Sequence, residues 1–316
     1  MASGDERGVC VFAPAPLLTL TIERAADERE ELHVHPGGQG YWVARMADLL
    51  GAAVDLCVPL GGETGEVLSH LLQDDEISLH DVPVAAPSGA YVHDRRTDQR
   101  HEWWRASLGP LGRHEIDELY TDTLAAALER GVCVLTGTHR QDSVLPDSIY
   151  TRLASDLRAN GVSVLCDLRG SQLRAALHGR IDLVKISHEE LVEDGWATRD
   201  EVAEIIEGMR RLHDAGARDV VVSRAKGGAL ALLDGVLLEA RAPEMTAVEP
   251  SGAGDSMTAA IAYGRSRELE SRELLRLGVA AGAVNVTRHG LGTGDADAIA
   301  RLAANVDISD VRTERA

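Results

Sequence analysis

From about residue 115 onward the chain alternates between two periodicities. Helical patterns at 115–129, 147–160, 171–178 and 198–215 separate β-like apolar runs at 132–136, 162–167, 182–186 and 219–223. Strands alternating with helices imply crossover connections and therefore a parallel sheet. Apolar residues make up 44% of the chain and aromatics only 3%. The core must therefore be built from Ala, Val, Leu and Ile, which suits a buried parallel sheet with helices packed on it. The expected fold class is α/β, a doubly wound, mostly parallel sheet flanked by helices, in a single domain over 1–316.

The N-terminal third is less regular. Val9–Phe12 reads as a first core strand, and Leu17–Arg24 and Glu31–His35 as half-buried strands around a charged turn. Tyr41–Leu50 reads as an amphipathic helix, 54–60 as a core strand, and G-G-E-T-G leads into a short helix ending at Gln73. From Ile77 to Arg105 the pattern is β-like again, with Ala90–Arg95 and Arg100–Arg105 forming a hairpin. Successive strand residues face opposite sides, so one of Trp103 and Trp104 is expected to pack inward and the other outward. His33 and His35 fall on one face of a strand, a metal pair only if a third ligand exists. Further on, Gly228–Asp234 and Gly235–Ala240 form a hairpin around D-G, a helix follows Asp255, another spans 271–287, and the tail Thr313–Ala316 is expected to be loose.

The balance of 32 basic and 51 acidic residues gives a net charge of −19. A chain this acidic repels nucleic acid and anionic membranes. No run approaches 18 apolar residues, and M-A-S-G-D-E-R-G has no basic start ahead of a long apolar core, so neither a membrane span nor a secretory signal is expected. Cys10, Cys57, Cys133 and Cys166 each sit in or beside a β-like run without C-x-x-C spacing, which reads as buried reduced thiols in a cytoplasmic protein.

Ligands of open α/β sheets bind beyond the carboxyl ends of the strands. Those ends carry Gly137–Thr138, Asp167, Lys185–Ser187 and Ser223–Arg224, expected to converge with E-P-S-G-A-G-D-S-M at 249–257. Pro250 and Ser251 stop the preceding segment. Gly252 and Gly254 let backbone approach a ligand closely. A helix reads from Ser256, directly after Asp255, so its N-terminal amides favour an anion such as phosphate. A carboxylate in that anion hole is out of character unless it acts on the ligand. Beside a phosphoryl group, Asp255 can orient and deprotonate a hydroxyl; the plainer alternative is a capping residue.

A second glycine cluster, H-P-G-G-Q-G-Y-W-V-A-R-M, lies at 35–46. Together the two clusters resemble the motifs of the PfkB branch of ribokinase-like carbohydrate kinases, closest to the 1-phosphofructokinase and tagatose-6-phosphate kinase type. The resemblance extends to V-C-V-L-T-G-T (132–138), D-L-R-G-S-Q-L-R-A-A-L (167–177), D-L-V-K-I-S-H-E-E-L (182–191) and V-V-V-S-R-A-K-G-G-A-L (220–230). It implies a ribokinase-like sheet with a small β-sheet lid, its strands inserted at about 17–35 and 77–105, that often mediates homodimers. It also implies transfer of the γ-phosphoryl group of ATP, with Mg²⁺, to a hydroxyl of a sugar, sugar phosphate or related small molecule. By the resemblance Asp255 is the catalytic base, and Gly252, Ala253 and Gly254 supply the amides around the transferring group. Ser187, Glu190, Ser223, Gly228, Ser251 and Asn285 fall on the nucleotide side, with Glu190 organising magnesium through water or else offsetting a helix dipole. Lys185 reaches phosphate or lies on the surface, and Arg224 and Lys226 contact ATP phosphates or solvent.

The acceptor side departs from the pattern. The family's early aspartate is Thr19 here, the Lys of its G-G-K-G is Gln39 after Gly37 and Gly38, and its sugar-binding Asn is Trp42. Its lid Arg and Asn fall near Gly89 and Tyr91, and its S-G-S-L-P is T-G-T-H-R, with Thr138 and Arg140 as acceptor-site candidates. A second phosphate needs fixed cations, for which Arg95, Arg96, Arg140 and the histidines are candidates. The altered acceptor side leaves a nucleotide-binding sensor or scaffold without transfer activity as the alternative. A nicotinamide dehydrogenase fits poorly, because H-P-G-G-Q-G is not a G-x-G-x-x-G after a first core strand.

Overall fold

The computed structural model describes residues 7–25, 27–73, 76–97, 101–139, 142, 144–246, 248, 251–287 and 292–311. The N-terminal third runs β1 (Gly8–Phe12), β2 (Leu17–Arg24), β3 (Glu30–Gly37), α1 (Gln39–Leu49), β4 (Ala53–Leu60), α2 (Gly62–Leu72), β5 (Ser78–Pro83), β6 (Gly89–Asp94) and β7 (His101–Ala106). Regular alternation follows through α3 (Arg113–Arg130), β8 (Val132–Thr136), α4 (Ser148–Ala159), β9 (Ser163–Asp167), α5 (Gly170–Gly179), β10 (Ile181–Ser187), α6 (His188–Glu193), α7 (Val202–Ala215) and β11 (Ala217–Ser223). The chain closes with β12 (Ala229–Leu233), β13 (Val236–Arg241), α8 (Ala253–Ser266), α9 (Ser271–Val286), α10 (Ala296–Ala303) and β14 (Asp307–Asp310). Helices α6 and α10 and strand β14 go beyond the sequence expectation. Arg100 and the tail Thr313–Ala316 lie outside the described residues.

A ten-stranded sheet has the order β14-β13-β12-β11-β10-β9-β8-β1-β4-β5. It is parallel from β5 to β11 and antiparallel beyond. The order reverses direction at β1, where connections begin to leave on the other side, and a crevice opens there at the carboxyl edge. Register brings the strand ends level: Thr136 stands opposite Asp167, and Ser187 opposite Ser223. Apolar side chains fill both faces, with Val9, Val11, Val134 and Val221 in one core and Cys10, Phe12, Leu135 and Val222 in the other. All four cysteines are free and buried. The β12–β13 hairpin turns on Asp234 (φ 48) and Gly235 (φ 78), the left-handed pair that a two-residue loop requires.

The second sheet has the order β3-β2-β6-β7 and forms the lid. Ser78–Pro83, expected with the lid, instead pairs in parallel with β4 at the edge of the main sheet. A six-residue apolar-polar run gives no sign of which sheet edge it will join. The lid strands are thus confined to 17–37 and 89–106.

The tryptophan expectation is also corrected: Trp103 and Trp104 are 55% and 54% exposed. Val92 faces Trp104, yet the next residue, His93, faces Glu102, so Trp103 is an extra residue in β7. A bulge of this kind sets two residues against one and breaks the alternation of faces. It turns both indoles outward, while Glu102 and Arg105, three apart, both reach the cleft side.

Candidate active site

A cavity of about 420 Å³ lies between the lid and the carboxyl edge of the main sheet, within the range of small-molecule sites. Asp255 forms part of its wall. The residue lies in the first turn of α8, whose N-cap, Gly252, has φ +81 and leaves the first-turn amides without a side-chain cap. An uncapped N-terminus with a left-handed glycine is a fitting cradle for phosphate oxygens. Asn285, fully buried on α9, donates from Nδ2 to Ser251 O at 2.8 Å and so holds the start of this turn. Pro250 lies outside the described residues.

Asp255 is half-buried and opens onto the cavity. Burial pushes its carboxyl up to about 7; the Asp167 charge adds to the rise, Lys185 opposes it, Glu190 adds, and a hydrogen bond from Gln39 opposes. Gln39 therefore does not sit free in the acceptor site. Its Oε1 accepts from Gly137 N–H at 3.1 Å while its side chain bonds Asp255. Thr138 is clamped from the other side by Gln172, with N–H to Oε1 at 3.2 Å and Nε2–H to Thr138 Oγ1 at 2.6 Å.

Lys185 differs most from expectation. It is 5% exposed and lies neither on the surface nor in the cavity wall. Its Nζ is 3.2 Å from Asp167 Oδ2. A Cβ on Gly254 would stand 2.4 Å from that Nζ, so the lysine packs directly beneath the glycine turn. Burial alone would lower its proton affinity, but the charges of Asp167, Glu190 and Asp255 outweigh this and hold it above the ordinary lysine value.

Ser187 and Glu190 form a capping box at α6: Glu190 N–H donates to Ser187 Oγ at 3.2 Å, and Ser187 N–H to Glu190 Oε2 at 3.1 Å. The plainer reading of Glu190 as a helix-terminal acid thus holds, and its carboxylate also lines the cavity, with Oε1 3.9 Å from Arg169 Nη1. Ser223 O accepts from His188 Nδ1–H at 3.1 Å. Arg224, a candidate phosphate contact, is turned away. It ion-pairs with Glu239 on β13 and donates to Gly227 O at 2.7 Å. The β11–β12 turn returns through Gly228 (φ +78), where a Cβ would meet Ala240 O at 2.2 Å. Lys226 is exposed.

On the acceptor side, Thr19 and Trp42 are each 5% exposed and line the cavity. Gly37 and Gly38 are there for space: a Cβ would meet Thr19 Oγ1 at 2.3 Å and Ala15 O at 2.7 Å, respectively. Arg140 lies outside the described residues. Arg96 is taken up by Asp94 and Glu30, whereas Arg95 lines the cavity. His33 pairs with Glu23 and Glu31. His35 Nδ1–H donates to Pro36 O at 3.0 Å, which leaves Nε2 facing Thr21 Oγ1 at 3.4 Å; Thr21 Oγ1 in turn meets His93 Nε2 at 3.1 Å. No group of three or more His, Cys, Asp or Glu residues able to hold a metal exists among the described residues.

The family model for the pfkB family of carbohydrate kinases matches residues 18–298. The chain belongs to this family. It is 31% identical to the ATP-dependent 6-phosphofructokinase isozyme 2 of Mycobacterium tuberculosis, over 90% of this chain and 88% of that one. With the 1-phosphofructokinase of Bacillus subtilis it shares 28% identity over 82% of this chain and 84% of the relative. The crystal structure of Escherichia coli phosphofructokinase-2 in complex with potassium superposes with a TM-score of 0.83 at 25% identity, covering 94% of this chain and 98% of that one. The layout is ribokinase-like, and a pfkB carbohydrate kinase is a phosphotransferase with an alcohol acceptor and ATP as its donor. No helix among the described residues is long and apolar enough to cross a membrane.

Several residues at the pfkB site carry no signal in the sequence. Arg105 reaches the cavity through its pairing opposite Tyr91 in the lid, and Thr258 and Gln172 act as anchors through contacts 91 and 34 residues away in the chain. For Arg224, substitution by alanine is expected to cost about 1.5–3 kcal/mol of stability, the range for hydrogen bonds to charged groups, without changing ATP affinity. Thermal denaturation and calorimetric titration with ATP check the two halves.

Proposed function

We propose that this chain transfers the γ-phosphoryl group of ATP to a hydroxyl of a sugar or sugar phosphate, with Asp255 as general base. The observation that carries this reading is the placement of Asp255: its carboxyl lines the acceptor cavity from the first turn of an uncapped, glycine-started helix. An acceptor hydroxyl hydrogen-bonded to Asp255 is aligned for in-line attack. The new O–P bond forms as the bond to the β-phosphate oxygen breaks, the hydroxyl proton passes to Asp255, and ADP leaves. Backbone amides of Ala253, Gly254 and Asp255 stabilise the charge on the transferring group. Mg²⁺, bound to ATP, neutralises phosphate charge. The chain offers it no cage of its own among the described residues, but Glu190 can hold one of its waters. Ser187, Ser223, Gly228, Ser251 and Asn285 shape the nucleotide side through the turns they brace.

The acceptor is read as anionic. Arg105 is half-buried, lines the cavity opposite Tyr91, and has no ion-pair partner among the described residues. A cation fixed in this way suits a sugar phosphate. Trp42, Tyr91 and His35 supply flat walls against which a sugar ring can pack.

The outer face of the lid is read as a homodimer contact. Leu32 and Val34 alternate with the cavity residue His35 and so face away from it. They are 60% and 41% exposed, and the two bulge tryptophans share this outer side. An apolar patch of this kind on a small sheet suits a second copy of the chain.

Four measurements test these readings. Asp255→Asn should lower kcat by about 10²–10⁴-fold, the usual contribution of a general base, with ATP affinity little changed. The base must be ionised to act, so wild-type kcat should fall as the pH drops through about 7. Unchanged turnover in Asp255→Asn would contradict the mechanism. Arg105→Met should raise the KM for a sugar phosphate roughly ten- to hundredfold, the equivalent of one charged hydrogen bond, with a smaller effect on kcat. Trp103→Glu with Trp104→Glu should yield monomers by light scattering if the lid face joins two chains; an unchanged mass argues for another interface.

A further inference from the structure

Lys185 plays no part in the transfer as described, yet it is a charged group buried within the sheet. Such a group persists only when paired. Its partner oxygen, Asp167 Oδ2 at 3.2 Å, also lies 2.6 Å from Thr258 Oγ1. Thr258 stands one helical turn beyond Asp255, and its hydroxyl is also 3.1 Å from Gly254 O. Its single hydrogen goes to the nearer carboxylate. From the other side, the Lys185 ammonium fills the space that any side chain on Gly254 would take. The pair therefore grips the turn both through Thr258 and through direct packing under Gly254.

We infer that the buried Asp167–Lys185 pair is a positioning device that fixes the Gly252–Asp255 turn and sets the pH at which Asp255 gives up its proton. The inference rests on the reading of Asp255 as the base. The charged groups that face Asp255 are Asp167 from β9, Lys185 from β10 and Glu190 from α6, with neutral Gln39 from α1. Arg169, His139 and Asp142 line the same cavity. Within this set the two members of the pair act in opposite senses. Without Lys185, Asp255 faces Asp167 and Glu190 with no buried cation, and its midpoint must rise. Without the Asp167 charge, Lys185 acts on Asp255 unopposed, and the midpoint must fall. A pair that only packs the turn produces no such opposed shifts.

The test reads Asp255 directly, by ¹³C NMR of carboxyl-labelled aspartate in the full chain, with the signal assigned by its loss in Asp255→Asn. Asp167→Asn keeps the shape and an acceptor for Thr258; its Asp255 midpoint should fall by about one to three pH units, as for a neighbouring charge at this range. Lys185→Met should raise it by a similar amount, and the double variant should return to within about one unit of wild type. Should Lys185→Met fail to fold, a known consequence of stranding a buried carboxylate, Asp167→Asn and the double variant decide the matter. An unmoved midpoint in Asp167→Asn, or shifts of the same sign in both single variants, overturns the inference. The acid limb of kcat against pH, measured on the same proteins, separates this from the base assignment. If the NMR midpoints shift as expected and the limb does not follow, the inference stands and Asp255 loses its role as base.

Discussion

A lysine ammonium wedged beneath a glycine turn constrains more of this molecule than any other contact. Lys185 is delivered by β10, its counter-ion Asp167 by β9, and the turn it supports begins α8. These elements must meet within hydrogen-bond distance, so the parallel register of β9 on β10 and the seating of α8 across the sheet are fixed together. Gly254 is required here for a reason unrelated to backbone dihedral freedom: any Cβ would displace the cation. The same contact keeps two negative groups, Asp167 and Asp255, near one another at the carboxyl edge, which unbalanced repulsion would otherwise oppose.

Uncharged side chains brace much of the cavity floor around Asp255. Gln39 and Gln172 accept from the backbone N–H groups of Gly137 and Thr138 through their amide oxygens, a role that no cation can fill. These supports hold the β8 end and Asp255 without adding charge. Positive charge toward the acceptor then comes from the lid and the β9–α5 junction, through Arg105, Arg95 and Arg169.

Much of this was legible in the sequence, and what was not has identifiable causes. The strand-helix alternation after residue 115 carried the fold because each element is long enough for its period to show. Asp255 and its glycines were legible because turn chemistry is local, as was the Ser187-x-x-Glu190 box, whose capping role competes with any metal role. Ser78–Pro83 was misplaced because its pattern is compatible with either sheet. The ion pair of Arg224 was not legible because its partner, Glu239, is reached only through the register of the β12–β13 hairpin. Lys185 looked like a strand-end lysine free to reach a ligand; its burial depends on Asp167, eighteen residues earlier. The facing of Trp103 and Trp104 turned on a single extra residue that no periodicity reveals.

That extra residue has a consequence for how such a lid can diversify. Strand β7 turns Glu102 and Arg105 toward the cavity and both indoles outward, with Glu102 opposite His93 and Arg105 opposite Tyr91. Removing one of the two bulge residues would leave both of these pairings in place, so Glu102 and Arg105 would still face the cavity and only one outward side chain would be lost. The outer face of β7 can therefore gain or lose a side chain without moving the residues that line the cavity. A change of length at the bulge alters one face alone, whereas a one-residue change elsewhere in the strand shifts the pairing and alters both.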